Sequence, residues 1–326
     1  MVGLVRAIAL DARARFILEG KVIGDRAYPE TVEMEVPTVI NVSFDDARQS
    51  RAIYVKVDTD PKVILEKLNF RSLPKGIVSI SGGAEKFPPE AIERVAMLLA
   101  EVVVPIVYEH ELLVVDGGTE AGIMKITGEA FAAQSPGRHV IGGTGTEPES
   151  VSLDLRTLPL LGVAPAARVC LPGNEFAAPG DSKLEPNHLC FVLVRERDWG
   201  GEVECMFSFL DHLANCEQIP VVNIVANGGR ITIKEVYHAV EKGWPVIVLE
   251  GSNRAAQLIV AALDGASERE LAGLFDKYQV TVPLQEVPEL VHWLGAIAKY
   301  ENITRFELLS RPPQELASLI LSGLGI

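Results

Sequence analysis

The feature that most constrains this chain is a repeated unit, in which an apolar strand is followed by a glycine-rich turn and then a helix. The unit recurs at least four times from residue 76 onward. In the first unit, the apolar run 76–80 is followed by Ser81-Gly82-Gly83-Ala84 and by a helix entered through Pro88 and Pro89. Continuous Val/Ile/Leu strands that alternate with helices predict a parallel sheet covered on both faces.

Later units have the same order of strand, glycine turn and helix. Apolar strands are predicted at 112–115, 220–225 and 245–249, and each is followed by a turn that contains glycine: Asp116-Gly117-Gly118, Asn227-Gly228-Gly229 and Glu250-Gly251-Ser252. Further strands are predicted at 139–141, before Gly142-Gly143-Thr144-Gly145-Thr146, and at 168–171 and 189–194. The glycine turns therefore fall at the carboxyl ends of predicted parallel strands.

The segments on either side of these units have a different pattern. Residues 1–59 are predicted to be a β-rich N-terminal extension, with strands at 32–42 and 52–57. Residues 60–265 form the predicted parallel-sheet domain. Residues 266–326 are predicted to be helical, with helices at 268–278, 284–300 and 313–321. This last segment is either a cap on the sheet or a small helical domain, and the cap is favoured.

Charge limits the classes of partner. The 326 residues contain 30 Lys and Arg against 44 Asp and Glu, which gives a formal net charge of -14. Nonspecific binding to nucleic acid depends on Lys and Arg neutralising phosphates, so a nucleic-acid partner is not expected. An acidic chain that holds an anionic ligand must use backbone amides and helix dipoles, which directs attention to the glycine turns.

Metal, disulfide and membrane signals are weak. The four cysteines form no C-x-x-C pair, the histidines show no metal-ligand spacing, and we assign no metal. Charged residues interrupt the N-terminal apolar stretch, and no run approaches about 18 uncharged apolar residues. The sequence therefore predicts a soluble, cytoplasmic protein with no membrane partner.

The glycine turns predict a phosphate site. Ligands of open parallel sheets bind outside the carboxyl ends of the strands, where glycine lets the backbone approach a pyrophosphate and the next helix presents unpaired N–H groups. Each turn alone is equally well explained by glycine closing a tight turn. Asp116 and Glu250 either accept hydrogen bonds from ribose hydroxyls or cap a helix, and Ser252 and Arg254 either contact phosphate or begin a solvated helix. Thr119 and Lys125 have the same two interpretations.

Five collinear segments resemble the cytosolic N-terminal region of melastatin-type TRP channels. They are residues 64–70 with 77–87, the sequence DGGTEAGIM at 116–124, EPNH at 185–188, PVV at 220–222 leading to Gly228-Gly229, and VLEGSNRAA at 248–256. The chain is similar to the prokaryotic branch of that domain in the SLOG superfamily, which also includes the Smf/DprA proteins and the LOG nucleotide hydrolases. Residues 1–59 and 266–326 lie outside the resemblance.

The resemblance implies a Rossmann-like sheet flanked by helices and a nucleotide-derived ligand such as ADP-ribose, ATP or an NAD-like molecule. It implies sensing rather than turnover, with no cofactor besides that ligand. A second copy of the chain or an effector protein remains open as a further partner. The residues expected to bind the ligand are Ser81, Gly82, Gly83, Ala84, Asp116, Gly117, Gly118, Thr119, Gly122, Met124, Asn187, Gly228, Gly229, Glu250, Gly251, Ser252, Asn253 and Arg254.

An enzymatic alternative stays open. The LOG enzymes carry PGGxGTxxE, whose glutamate serves N-glycosidic hydrolysis. The similar GGTGTE at 142–147 lies in a different unit, and the turn at 116–120, which we take as the counterpart, lacks that glutamate spacing. No catalytic residue is assigned. The alternative function is a nucleotide or NAD hydrolase that cleaves an N-glycosidic or phosphoanhydride bond, with Glu120 or Glu129 as candidate acid.

Overall fold

A nine-stranded sheet lies at the centre of the computed structural model, which describes residues 36–45, 48–83, 86–134, 151–173 and 180–326 together with three short strands nearer the N-terminus. Those three, β1 (Arg6–Ala7), β2 (Phe16–Leu18) and β3 (Lys21–Val22), pair antiparallel in a separate sheet. The strands of the central sheet are β4 (Thr38–Ser43), β5 (Gln49–Val55), β6 (Ile77–Gly82), β7 (Leu113–Asp116), β8 (Leu160–Pro165), β11 (Cys190–Val194), β12 (Val221–Ala226), β13 (Val246–Glu250) and β14 (Ile303–Glu307). The remaining strands, β9 (Val169–Cys170) and β10 (Ser182–Lys183), pair with each other.

The central sheet has the order β14-β13-β12-β6-β7-β8-β11-β5-β4. Every neighbouring pair is parallel except β4 with β5, at one edge. The predicted parallel sheet is confirmed. The predicted N-terminal strands at 32–42 and 52–57 correspond to β4 and β5, which belong to this same sheet.

Helices cover both faces of the sheet. Their bounds are α1 (Pro61–Leu68), α2 (Pro89–Leu98), α3 (Val104–Glu109), α4 (Gly122–Gln134), α5 (Val203–Asn215), α6 (Arg230–Glu241), α7 (Arg254–Leu263), α8 (Glu268–Lys277), α9 (Val287–Ile297) and α10 (Pro313–Leu324). A π-helical segment, Leu99–Val103, joins α2 to α3. Helices α1, α5, α6 and α7 follow one another along one face, and α9 packs on α6 and α7. The segment α2–α3, with α4 and α10, covers the other face.

The core is aliphatic because the central strands are buried on both faces. All residues of β8, β11 and β12 are buried, and so are the first five of β6. Burial of one Val, Leu or Ile side chain contributes about 1.5–3 kcal/mol, and these strands consist largely of such residues. In the part of the chain that the structure describes, no helix is both long and apolar enough to cross a membrane.

Two strands of the sheet were not predicted. Strand β8 lies between Pro159 and its own terminal Pro165, and prolines weaken a strand assignment although strand ends tolerate them. Strand β14 lies in the segment predicted to be helical, where Thr304 and Arg305 interrupt the apolar pattern. The predicted strand at 168–171 is the short β9, outside the central sheet. The predicted strand at 139–141 and the glycine turn after it lie outside the described residues.

Candidate functional site

The candidate site lies where the chain reverses its direction of travel across the sheet. From β6 the chain moves to β7 and β8 on one side, whereas from β12 it moves to β13 and β14 on the other. Strands β6 and β12 are neighbours, so the loops after them diverge at this point. Such a switch point forms the ligand crevice of open α/β sheets.

Two glycines let the loops after β6 and β12 touch. A Cβ atom added to Gly83 would lie 2.8 Å from the Cα of Gly228, and one added to Gly82 would lie 2.6 Å from the carbonyl oxygen of Ala226. Gly228 also has φ +93°, in the left-handed region that favours glycine. A side chain at either glycine would therefore force the loops apart.

Helix α6 begins at this contact between the loops after β6 and β12, which we call the crossing. Gly229 is its N-cap residue, and no helical carbonyl can accept from the first N–H groups of a helix. The guanidinium Nη2 of Arg254 is 3.7 Å from the position that a Cβ on Gly229 would occupy. The Arg254 side chain is buried, so a cation and the positive end of a helix dipole meet at the glycine loop.

The loop after β13 is tied to the loop after β12. Ser252 Oγ accepts the N–H of Asn227 at 2.8 Å and donates to the carbonyl of Leu249 at 2.6 Å. The N–H groups of Ala255 and Ala256, which open α7, donate to the carbonyls of Gly228 and Asn227. These two N–H groups of the first turn of α7 are thus hydrogen-bonded within the protein.

The backbone of the same loop is strained. Asn253 has φ 80° and ψ -176°, and Arg254 has φ 50°, while Gly251 has φ 92°. Positive φ at residues other than glycine costs about 1–3 kcal/mol and concentrates at functional sites. The strained segment includes Arg254, whose guanidinium lies beside Gly229.

A buried chain of three side chains lies at the end of β7. His188 Nε2 is 2.9 Å from Asp116 Oδ1, and His188 Nδ1 is 2.9 Å from Glu185 Oε2. Asp116 and His188 have no side-chain exposure. Burial by itself lowers the pKa of His188, but the charge and hydrogen bond of Asp116, followed by those of Glu185, outweigh burial and raise that pKa to about 10. His188 is therefore an imidazolium held between two carboxylates at neutral pH.

The surrounding residues hold this chain of side chains in place. Asn187 donates its backbone N–H and its side-chain amide to Glu185, both at 2.7 Å. A Cβ on Gly128 of α4 would overlap the Glu185 carboxylate, so glycine is required there. The N–H of Glu185 donates to the carbonyl of Gly118 at 2.9 Å. Asn187, predicted as a ligand residue, therefore orients Glu185.

Glu250, predicted to bind ribose or cap a helix, forms an ion pair. Arg305 of β14 donates Nε to Glu250 Oε2 at 3.0 Å and Nη2 to Glu250 Oε1 at 2.8 Å. Both carboxylate oxygens thus accept from one guanidinium in bidentate geometry. Among the described residues, the other predicted acidic residue, Asp116, pairs with His188 and with no arginine.

Two glutamates that were not predicted as site residues, Glu235 and Glu202, have raised pKa values. Glu235 on α6 hydrogen-bonds Ser81, and Ser81 Oγ also accepts from Asn223 Nδ2 at 3.0 Å. Burial, then the charge of Glu202, raises the pKa of Glu235 to about 8. Burial likewise raises the pKa of Glu202 to about 7 against the hydrogen bond from the N–H of Gly200. Raised pKa values in a cleft mark candidate functional groups.

A spacing signal could have found Glu235. Residues 228–235 read Gly-Gly-x-x-Thr-x-x-Glu, which is the spacing GGxGTxxE with Ile231 at the third glycine. The turn taken above as the counterpart of this motif is 116–120, in another unit. Its candidate acids, Glu120 and Glu129, are exposed.

The other residues predicted to bind ligand differ in burial and in their contacts. Gly117 is half-buried with Met124 Cγ 3.7 Å from the position of a Cβ, and Gly118, with φ 61°, presses against Gly162. Thr119 is buried and forms a bridge to Leu184, and Gly122 begins α4. Ala84 lies outside the described residues. Across the described ranges, no group of three or more His, Cys, Asp or Glu side chains could hold a metal ion.

Comparison with known proteins identifies relatives. Over 259 residues the chain is 24% identical to transient receptor potential cation channel subfamily M member 2 of Mus musculus, an alignment that covers 71% of this chain and 16% of the channel. The Nematostella vectensis subfamily M member-like 2 channel is 25% identical over 254 residues, with 69% and 16% covered. The Drosophila melanogaster trpm channel is 26% identical over 315 residues, with 85% and 15% covered. The chain thus spans about one sixth of the length of these relatives.

A family model supports the same relationship over most of the chain. The family described as SLOG in TRPM, prokaryote, matches residues 75–146 and 149–292. These ranges include the loops after β6, β7, β12 and β13 and the glutamate at 235. The chain therefore belongs to the prokaryotic SLOG in TRPM family.

Proposed function

We propose that this protein is a sensor module that binds the phosphates of a nucleotide-derived ligand at the crossing, where the loops after β6 and β12 meet. One observation carries the proposal: Gly83 and Gly228 bring two backbones into contact beside the N-terminus of α6 and the Arg254 guanidinium. Bare backbone, helix N–H groups and a fixed arginine are what a phosphate group requires.

Local geometry explains how an acidic protein can hold an anion. The net charge of -14 repels anions at long range, but salt screens that repulsion beyond about 8 Å at physiological ionic strength. The N-terminus of α6 and the Arg254 guanidinium both lie beside Gly229. Glu235 has a pKa raised to about 8, so at neutral pH it is largely uncharged and adds little repulsion.

Family membership supports a nucleotide-derived ligand, and ADP-ribose, ATP and NAD are the candidates. The relatives are named as cation channels, and this chain corresponds to about one sixth of their length, so channel activity is not part of the proposal. A sensing role needs a route from site to partner. The N-terminus of α6 offers one, because Arg230 pairs with Glu286, immediately before α9.

A melting experiment tests the proposal. We would measure thermal unfolding with ATP, ADP-ribose, NAD and AMP. A ligand at 100 times its dissociation constant stabilises the folded state by about 2.7 kcal/mol, a shift of a few degrees. Arg254→Lys should reduce the shift and Arg254→Ala should abolish it. The control Arg269→Ala, at an exposed position on α8, should leave it unchanged. No shift with any of the four nucleotides would contradict the proposal.

Glu235 favours a second function, hydrolysis of an N-glycosidic or phosphoanhydride bond. A carboxyl group that stays protonated near neutral pH can donate a proton to a leaving group, and Glu235 adjoins the β6 loop through Ser81. Chromatography of the same incubations separates the two functions. Product that disappears in Glu235→Gln supports the hydrolase, whereas stabilisation without product supports the sensor.

A further inference from the structure

The Asp116 carboxylate is buried with one of its two oxygens unused. Oδ1 accepts from the N–H of Gly118 at 2.7 Å and bonds His188 Nε2 at 2.9 Å. Oδ2 is buried and has no hydrogen-bond partner in the described part of the chain. An ionised carboxylate offers about four acceptor sites, and leaving a buried acceptor unmade is costly. Within the described residues, Asp116 Oδ2 therefore lacks a hydrogen-bond donor.

Neighbouring buried side chains fix the orientation of the Asp116 carboxyl group. His188 is wholly buried, lies between Asp116 and Glu185, and stacks on Phe191 with the ring centroids 5.6 Å apart. Glu185 is held in turn by Asn187 and by the room that Gly128 leaves. Asp116 cannot rotate without breaking the two hydrogen bonds that its Oδ1 makes with the N–H of Gly118 and with His188 Nε2.

We propose that His188 is a positioning residue, which fixes Asp116 Oδ2 as the acceptor for a ribose hydroxyl of the bound ligand. The inference depends on the proposed nucleotide-binding function and adds the sugar to it.

The chemistry at Oδ2 selects a hydroxyl donor. Phosphate oxygens are acceptors and carry negative charge, so an ionised carboxylate repels them. A ribose hydroxyl is a neutral donor, and carboxylates at strand ends accept hydrogen bonds from such hydroxyls. Asp116 ends β7, one strand away from the β6 loop where the phosphates are placed. Glu250, at the end of β13, fits this role less well, because each of its oxygens already accepts a hydrogen bond from Arg305.

Affinity for deoxy analogues tests the inference on the unmodified protein. Calorimetry would compare ATP with 2′-deoxy-ATP and 3′-deoxy-ATP. We expect one analogue to bind at least tenfold more weakly, because a hydrogen bond to a charged acceptor is lost. Equal affinity within twofold for all three would overturn the inference and leave the nucleotide-binding function intact. If neither ATP nor its analogues bind, the inference is overturned. Calorimetry with ADP-ribose and NAD would then test the proposed nucleotide-binding function separately.

Variants separate positioning from folding. In Asp116→Asn and His188→Gln, discrimination between ATP and the weaker deoxy analogue should fall below threefold. Pyrophosphate, which has no sugar, should bind these variants as it binds the wild type if they are folded. Retained discrimination in folded His188→Gln would overturn the positioning role.

A spectroscopic measurement needs no variant. Nitrogen-15 NMR of His188 in the wild type should show both ring nitrogens protonated at pH 8, and a neutral imidazole there would overturn the role of His188.

Discussion

A Cβ atom on Gly83 would lie 2.8 Å from the Cα of Gly228, so the loops after β6 and β12 are in backbone contact across 145 positions of sequence, the difference between 228 and 83. Real Cβ atoms essentially never approach a non-bonded heavy atom of another part of the chain so closely. The contact brings the glycine loop of one unit against that of another. It is the geometric basis of the proposed phosphate site.

Gly83→Ala should therefore separate the loops. Overpacking of this kind lowers the free energy of unfolding by about 1–3 kcal/mol, and it should also weaken nucleotide binding. Urea unfolding monitored by circular dichroism measures the first effect and calorimetry the second. The control is Gly273→Ala on α8, where a Cβ meets nothing within 4 Å and should raise stability by up to about 1 kcal/mol. Equal effects of the two substitutions would contradict this account.

Removal of His188 should destabilise the protein strongly. His188 bonds the buried side chains of both Asp116 and Glu185, and removing one partner from a buried ion pair costs about 3–5 kcal/mol. His188→Gln should therefore shift the urea midpoint to a much lower concentration at pH 7. A loss below about 1 kcal/mol would show that His188 is neutral in the folded state.

The pH dependence of stability has a definite sign at His188. Its pKa is raised to about 10 in the folded state from 6.5, so its contribution is complete below pH 6.5 and is lost as the pH rises through 10. Wild-type stability should fall across this interval, measured by urea unfolding between pH 6 and 10. The same series in His188→Gln should lack that component of the slope.

Glu235 gives a separate pH signature. Its pKa is raised to about 8 from 4.5, so the protein is stabilised by the neutral form and that stabilisation is lost as the pH rises through 8. Glu235→Gln should have a small effect at pH 5 and should raise the melting temperature above pH 8. Glu235→Asp, which keeps a carboxyl group, should retain the wild-type trend. An equal effect of Glu235→Gln at both pH values would contradict the assigned shift.

The ion pair of Glu250 and Arg305 should be structural. Both side chains are partly exposed, so Glu250→Gln should cost about 1 kcal/mol or less. Nucleotide affinity should change less than twofold, in contrast to Asp116→Asn. A double-mutant cycle with Arg305→Gln measures the coupling. A large loss of affinity in Glu250→Gln would restore Glu250 as a ligand-binding residue.

The sequence predicted where the glycine turns lie, because local rules govern them. Glycine turns after apolar strands have to lie at the carboxyl edge of a parallel sheet, so the turns at 82–83, 117–118 and 228–229 were found in the right place. The roles of individual side chains were less accessible. Asn187 was predicted to bind ligand and orients Glu185, because its partner is decided by the approach of the loop before β11 to α4.

What the sequence determined by itself was the alternation of strand, turn and helix, since that alternation is written in local hydrophobicity and in glycine. What only the tertiary structure decided was which distant groups meet. His188 lies 72 positions from Asp116, and Glu235 lies 154 positions from Ser81, by subtraction of their residue numbers. Strand order sets those meetings, and burial then sets their charge states, because the free energy of an ionised group depends on neighbours that no local pattern records.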